Sequence, residues 1–504
     1  MSENEVVLPA DADPVVLAVT ERFGGPAGFH RGRLVGFWTP LRVIVLLATV
    51  AYLVGYLLKL PCHAEAFGGD ARYTKLCYSD IPYLYELRGF ADGWLPYFQT
   101  GDGRGPALEY PVLTGGIMQL ASMLTGHSGT ASARSLLFFD WNTLLLFGCL
   151  LVTVVATALT VRRRPWDAAL VALAPGVILC ALINWDLLAV ALTSVSMLAW
   201  SRSKLGWSGV FLGLAIAAKF YPVLLLGPLL VLCLRSGRMR AFAITTGAAV
   251  GAWLVVNVPV YLGNHAGWWE FYSFSSTRGA DWGSIWYVLQ VVDHPVPAGS
   301  LNMVATGLLL VLCVGIAALA LMAEQRPRYA QLAFLVVAAF CITNKVYSPQ
   351  YVLWLIPLAA LARPRWRDFL IWQTGEAVYF ASIWWFLQQY GNDNKGLPEG
   401  WYVAAVLVHV VATSYFAAMV VRDILQPWHD PVRSDGHPEN TDDPGGGVLD
   451  GAPDRVTLRW PRRVDDGTDG YDDGDDHLHG EGPGGPPYDD APLEPAPSGG
   501  RHTG

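Results

Sequence analysis

Charge is what this sequence has least of. Only 15% of its 504 residues are Asp, Glu, Lys or Arg, where a soluble domain carries about a quarter. That shortfall excludes an ordinary water-facing surface over most of the chain. The basic residues form no stripe, which excludes a nucleic-acid partner. Cysteine is scarce and scattered at positions 62, 77, 149, 180, 233, 313 and 341, with no Cys-x-x-Cys pair. A structural zinc site is therefore not expected. No repeat of fixed period is present. The first forty residues hold no apolar core ahead of a small-residue cleavage site, so no removable signal peptide is expected. The net charge of -8 says little about the body, because the acidic residues gather near the C-terminal end.

What the chain does have is apolar sequence. Hydrophobic residues make up 53% of it, the mean hydropathy is +0.34, and the surplus falls in long runs. This pattern predicts an all-α polytopic membrane protein embedded in a lipid bilayer. Basic loops stay on the cytoplasmic side. Arg22, Arg31 and Arg33 precede the first span, at about 43–60, and place residues 1–40 inside. The polar stretch that follows then lies outside. The apolar piece at 111–126 is short and Gly-containing. If it spanned, Arg162-Arg163-Arg164 would fall outside, so it reads as an interfacial or re-entrant helix. Outer loops then cover about 61–134 and 263–299. Spans follow at about 135–161, 167–183, 185–200, 206–219, 220–234, 241–262, 300–323, 329–343, 350–362, 368–388 and 401–421. The expectation is about twelve transmembrane helices within 41–425, with both termini cytoplasmic. From 426 to 504 the chain is rich in Gly, Pro and Asp and is expected to be a disordered acidic tail.

The unusual polar residues gather at the outer helix ends. Asp70, Asp80, Arg88, Asp92 and Glu109 lie in the first outer loop, and Asn184-Trp185-Asp186 joins two spans with almost no loop. A carboxylate at that depth is costly unless paired or hydrated, although Asn and Asp also serve as helix caps. Lys219 and Lys345 are cations on the outer rather than the inner side. They suit either snorkelling to headgroups or binding of a phosphate. Asp80 reads either as a helix cap ahead of Pro82 or as a general base, and spacing does not separate it from Asp70 or Asp92. The aromatics Trp268, Trp269, Phe271, Tyr272, Trp282, Trp286 and Tyr287 read as an interfacial belt or as a platform for a sugar or isoprenoid. His265 and His294 have no partner at metal-ligand spacing. Cys62 and Cys77 share a disulfide-permissive compartment and are expected to bond, bracing the segment before Asp80 by roughly 3 kcal/mol.

Tyr78-Ser79-Asp80-Ile81, Arg88-Gly89, Pro96-Tyr97, Glu109-Tyr110-Pro111, Asn184-Trp185-Asp186-Leu187-Leu188, Lys219-Phe220-Tyr221-Pro222 and Lys345-Val346-Tyr347-Ser348-Pro349-Gln350-Tyr351 occur in this order. The ordered set, over about 40–425, resembles glycosyltransferase family 87. The arginine-over-lysine, Ala/Val/Leu/Gly-rich composition points to a bacterial chain, and the basic inner loops put the expected active site on the outer face of its plasma membrane. The resemblance implies a GT-C-like fold. It implies transfer of a sugar, mannose by family likeness alone, from a polyprenyl-phosphate donor to a glycolipid or glycan acceptor, with inversion. It implies Asp80 as the base, which selects it over Asp70 and Asp92. Lys345, then Lys219, then Arg88 are expected at the donor phosphate. No cofactor is expected, and no obligatory divalent metal, because such cations can serve the phosphate leaving group that the resemblance implies. Glu109, Tyr110, Asn184, Asp186, Tyr347 and Gln350 are expected to orient the acceptor or hold the cations. Two rivals stand beside this reading: a transporter or flippase of lipid-linked sugars, and a scaffold that recruits partners through its tail.

Overall fold

The apolar runs become helices. The computed structural model describes residues 6–8, 13–24, 37–99, 107–391 and 395–458. Most of the N-terminal segment 1–40 and residues 459–504 of the tail lie outside the described residues. Among the described residues the regular structure is all helical. Five helices are long and apolar enough to cross a membrane: Pro40–Leu57, Ala131–Thr160, Met239–Gly263, Ala298–Met322 and Glu399–Leu425. Their starts follow local chemistry. Thr39 accepts the amide of Arg42 just ahead of Pro40, and Thr130 accepts that of Ala133, so orphan donors at each first turn are satisfied. The Met239–Gly263 and Ala298–Met322 helices leave Val255, Leu262, Met303 and Val314 exposed, as a lipid-facing surface would.

Shorter apolar helices fill the interior. They include Val112–Thr125, Asp186–Ser201, Leu205–Ala218 and Tyr329–Thr343. Every residue of Val352–Ala362 is buried. The expected dozen spans are therefore not twelve equal rods. The stretch at 167–183, expected as one span, is broken into short pieces that include Pro165–Ala168, Ala169–Ala172 and Pro175–Cys180. Similarly, a 3-10 turn at Tyr221–Leu225 precedes the helix Leu226–Ser236. The prolines explain the breaks, since each removes an amide donor and restricts the residue before it. Irregular backbone of this kind is tolerated at membrane depth where protein surrounds it.

The expected tail needs a correction. Residues 427–458 are not a disordered continuation; they fold back on the body with Asp430 and Asp443 buried. Arg328 holds both oxygens of Asp430 (2.7 and 2.8 Å) and also donates to the carbonyls of Leu361 and Ala362. Arg326 reaches Asp442 and Asp454, Arg235 reaches Asp454, and Arg164 reaches Asp435. Gly, Pro and Asp cannot build an apolar core, which is why the segment reads as disordered. Here matched arginines and helix-end carbonyls order it instead.

Candidate active site

The Tyr78-Ser79-Asp80 segment is pinned before it does anything else. Cys62 and Cys77 are joined by a disulfide, with Cα atoms 5.8 Å apart. Lys59, almost wholly buried, donates to the Tyr78 carbonyl at 2.7 Å. The Asp80 amide donates to the Ile183 carbonyl at 2.8 Å, tying this loop to the junction at 184–186. Ser79, not Asp80, caps the helix Asp80–Leu87 by accepting the Ile81 amide. The capping alternative for Asp80 is thereby answered. Its carboxylate sits in the first turn, where the helix dipole favours negative charge, and accepts the Tyr78 hydroxyl at 2.8 Å. The Tyr78 ring is itself stacked on Trp384 at 4.6 Å.

Asp80 faces a cavity of about 460 Å³ whose other polar lining includes Glu109, Asn184, Lys219, Arg278, Asp281 and Gln350. Burial pushes the Asp80 carboxyl up to about 6; the Tyr78 hydrogen bond and the charge of Lys219 pull against this, while Asp186 and Glu109 add to it. A carboxylate in that range is suited to accept a proton near neutral pH.

The other expected site residues divide. Lys219 lines the cavity and pairs with Asp186 at 2.7 Å. Its ammonium is ringed by Tyr110, Tyr351 and Trp354 at 5.4, 5.8 and 5.7 Å, a cation–π cage that fixes its direction. Asp186 also accepts from Trp354 Nε1 at 3.0 Å, and the Asn184 side chain accepts the Asp186 amide at 3.0 Å. Glu109 lines the cavity while Arg88 grips it with two bonds of 2.6 and 2.7 Å. Arg88 is thus committed to Glu109 and is absent from the lining, and that bond raises its already high pKa.

Lys345 and Tyr347 are not where they were expected. Lys345 is buried behind the wall and donates to the Ser276 carbonyl at 3.1 Å. Burial and the nearby charge of Arg278 lower its pKa. The Tyr347 hydroxyl points away from the cavity toward Thr413 (3.0 Å) and Glu376 (3.3 Å). Close packing turned these side chains inward: His409 lies 4.1 Å from the Tyr347 ring and bonds Glu376, and Gly283 sits so tightly against Tyr379 and the Tyr347 carbonyl that any Cβ would collide with them. Their segment still supplies Ser348 and Gln350 to the lining.

Arg278, Asp281 and Lys59 were missed. Arg278 pairs with Asp281 at 3.0 Å, and Ser348 donates to the same carboxylate at 3.1 Å. The aromatics of this loop outweighed its one Arg–Asp pair in the sequence reading. Of those aromatics, Phe271 and Trp282 line the cavity, whereas Trp286 and Tyr287 are buried elsewhere. Lys59 carried the same signal as Lys219 and Lys345, a cation at the outer end of an apolar run. Among the described residues no group of three His, Cys, Asp or Glu side chains comes together as metal ligands would.

Residues 119–343 match the family model of glycosyltransferase family 87. The matched region contains Asn184, Asp186, Lys219, Arg278 and Asp281; it begins after Asp80 and Glu109 and ends before Lys345. No curated protein matches the chain in sequence. Among solved structures, the chain is similar to the oligosaccharyltransferase AglB of Archaeoglobus fulgidus, solved with an inhibitory peptide and a dolichol-phosphate. The identity is 11% and the TM-score 0.40, over 80% of this chain and 59% of that one. This chain therefore spans about three fifths of the archaeal protein's length. It is also similar to ArnT of Cupriavidus metallidurans bound to undecaprenyl phosphate, at 16% identity and TM-score 0.39, over 77% of this chain and 78% of that one.

Proposed function

We propose that the protein is a GT-C-like membrane glycosyltransferase of family 87, transferring a sugar from a polyprenyl-phosphate donor to a hydroxyl of a glycolipid or glycan acceptor. The observation that carries this reading is a single one: Asp80, held by Tyr78, and the cations Lys219 and Arg278 face the same cavity. The family-model match over 119–343 supports the reaction class.

In the proposed reaction the Asp80 carboxylate takes the proton of the acceptor hydroxyl. The acceptor oxygen forms a bond to the anomeric carbon from the face opposite the phosphate, and the carbon–oxygen bond to the phosphate breaks. Configuration inverts and polyprenyl phosphate leaves with one more negative charge. Fixed cations aimed at that developing charge lower the barrier. Arg278 and Lys219 take this role in place of the expected order of Lys345, Lys219 and Arg88, because they are the cations that line the cavity. Lys345, behind Ser276, supports the wall. Glu109, held by Arg88, and Asn184, Gln350 and Tyr110 orient the acceptor. The chemistry as written needs no divalent ion. The cavity faces the outside of a bacterial plasma membrane, with both termini cytoplasmic, and mannose is the proposed sugar.

The test is transfer of radiolabel from polyprenyl-phosphate mannose to membrane glycolipid by the purified chain in nanodiscs. Transfer that is lost in Asp80→Asn supports the reading. Movement of the labelled lipid between leaflets without transfer would instead establish a transporter.

A further inference from the structure

The cavity is built around Asp80, yet one charged group near it belongs to no part of the proposed reaction. Lys59 follows the first long helix and is 2% exposed. A buried ammonium needs an acceptor or an opposite charge. Its hydrogen bond is to the Tyr78 carbonyl, and Tyr78 is the residue whose hydroxyl binds Asp80. The link from Lys59 through Tyr78 to Asp80 is therefore continuous, with the disulfide at Cys77 closing the loop one residue earlier.

We propose that Lys59 is a positioning residue for Asp80: it anchors the main chain of Tyr78, whose hydroxyl holds the carboxylate, and brings a positive charge to that region from outside the cavity lining. This rests on the reading of Asp80 as the base. Two other roles fit less well. Snorkelling to headgroups requires an exposed ammonium, and this one is enclosed. A substrate contact requires a place in the cavity lining, which Lys59 lacks.

The charges facing Asp80 come from several elements. Tyr78 lies on its own segment, Glu109 precedes the Val112–Thr125 helix, and Asp186 and Lys219 meet at the junctions beyond. Burial works most strongly against the charge on Lys59, and Cys180 and then Asp80 favour it. Three carboxylates thus share one region with Lys219, which is already paired with Asp186. Lys59 supplies a second positive charge to the same region, from outside the cavity lining.

The test reads the protonation of Asp80 without turnover. A carbodiimide modifies the protonated carboxyl, and mass spectrometry of the full chain in nanodiscs gives the pH midpoint of labelling at Asp80. Lys59→Gln keeps a donor for the Tyr78 carbonyl and removes the charge, Lys59→Met removes both, and Lys59→Arg keeps both. The expected result is a midpoint about half a pH unit higher in Lys59→Gln and Lys59→Met, less than the loss of an opposite charge in direct contact would give, with Lys59→Arg near the wild type. The acid limb of transfer activity moves with it. A folded Lys59→Gln whose midpoint equals that of the wild type overturns the proposal, and this arm stands even if Lys59→Met does not fold. A wild-type chain that labels normally but transfers no sugar overturns the functional reading, and with it the catalytic purpose of this positioning, while the labelling midpoints still decide whether Lys59 acts on Asp80.

Discussion

The two ends of the Ala131–Thr160 helix hold charge in opposite ways. Near its start, Arg134 donates to the Ala91 carbonyl beside the first loop. Past its other end, Arg163 and Arg164 meet Glu439, Asp167 and Asp435. Thirty residues of helix separate these points by about 45 Å. At the far end Arg235, Arg326 and Arg328 each combine carboxylates with backbone carbonyls, and Arg363 is enclosed between Asp368 and Asp423. At the cavity end Asp80, Glu109, Lys219 and Arg278 each have partners and still face open volume. A saturated buried charge fixes geometry, while a charge left facing a cavity is available for chemistry. The density of charge alone does not distinguish the two ends.

Substitutions can break this comparison. Asp80→Asn is expected to lower transfer by about a thousandfold or more, the scale of a lost general base, with an unchanged amount of protein in the membrane. Because burial raises the Asp80 pKa, the folded chain binds that proton more tightly than the unfolded one. The contribution of Asp80 to stability is therefore present at low pH and lost as pH rises toward about 6. Asp80→Asn should accordingly melt no lower than the wild type at pH 8, and a lower melting temperature would contradict this assignment of strain.

Arg328→Met should do the reverse. It leaves Asp430 buried and unpaired, which costs about 3–5 kcal/mol, seen as a lower melting temperature in detergent. Adding Asp430→Leu should recover part of the loss, and no recovery would mean the pair is not the unit that matters. Arg278→Met is expected to reduce kcat by about a hundredfold, as for one removed transition-state donor, with little change in melting. Turnover against pH sharpens the same contrast. kcat/KM should fall about tenfold per unit below about 6, where Asp80 takes up its proton, and a flat profile from 5 to 8 would remove Asp80 as the base. The smallest effect is expected at Arg367→Ala. Its side chain is 62% exposed although it touches Asp368, so melting should move by no more than about 0.5 kcal/mol.

The sequence made some of this legible because hydropathy, proline and charge leave local traces. The long apolar helices and the pairing of Cys62 with Cys77 follow from residues close together in the chain, whereas the breaks near Pro165, Pro175 and Pro222 fell inside or near the start of stretches expected as whole spans. Asp80, Glu109, Asn184, Lys219 and Gln350 were named in advance and line the cavity. Lys345 and Tyr347 were named with equal reason and lie behind it. No local signal could separate the two groups, because what turned Tyr347 inward was Glu376 and Thr413, some thirty and sixty-six residues away.

By itself the sequence determined that the chain is helical and apolar, and which few charges stand apart from the arginines of the basic loops. Only the tertiary structure decided which of those charges meet. Lys59 was placed on the Tyr78 carbonyl, Arg278 in the wall, Arg88 on Glu109, and residues 427–458 against the arginines. The physical reason is that secondary structure answers to neighbours within a few residues, whereas the cost of burying a charge is settled by whatever partner the fold brings to it.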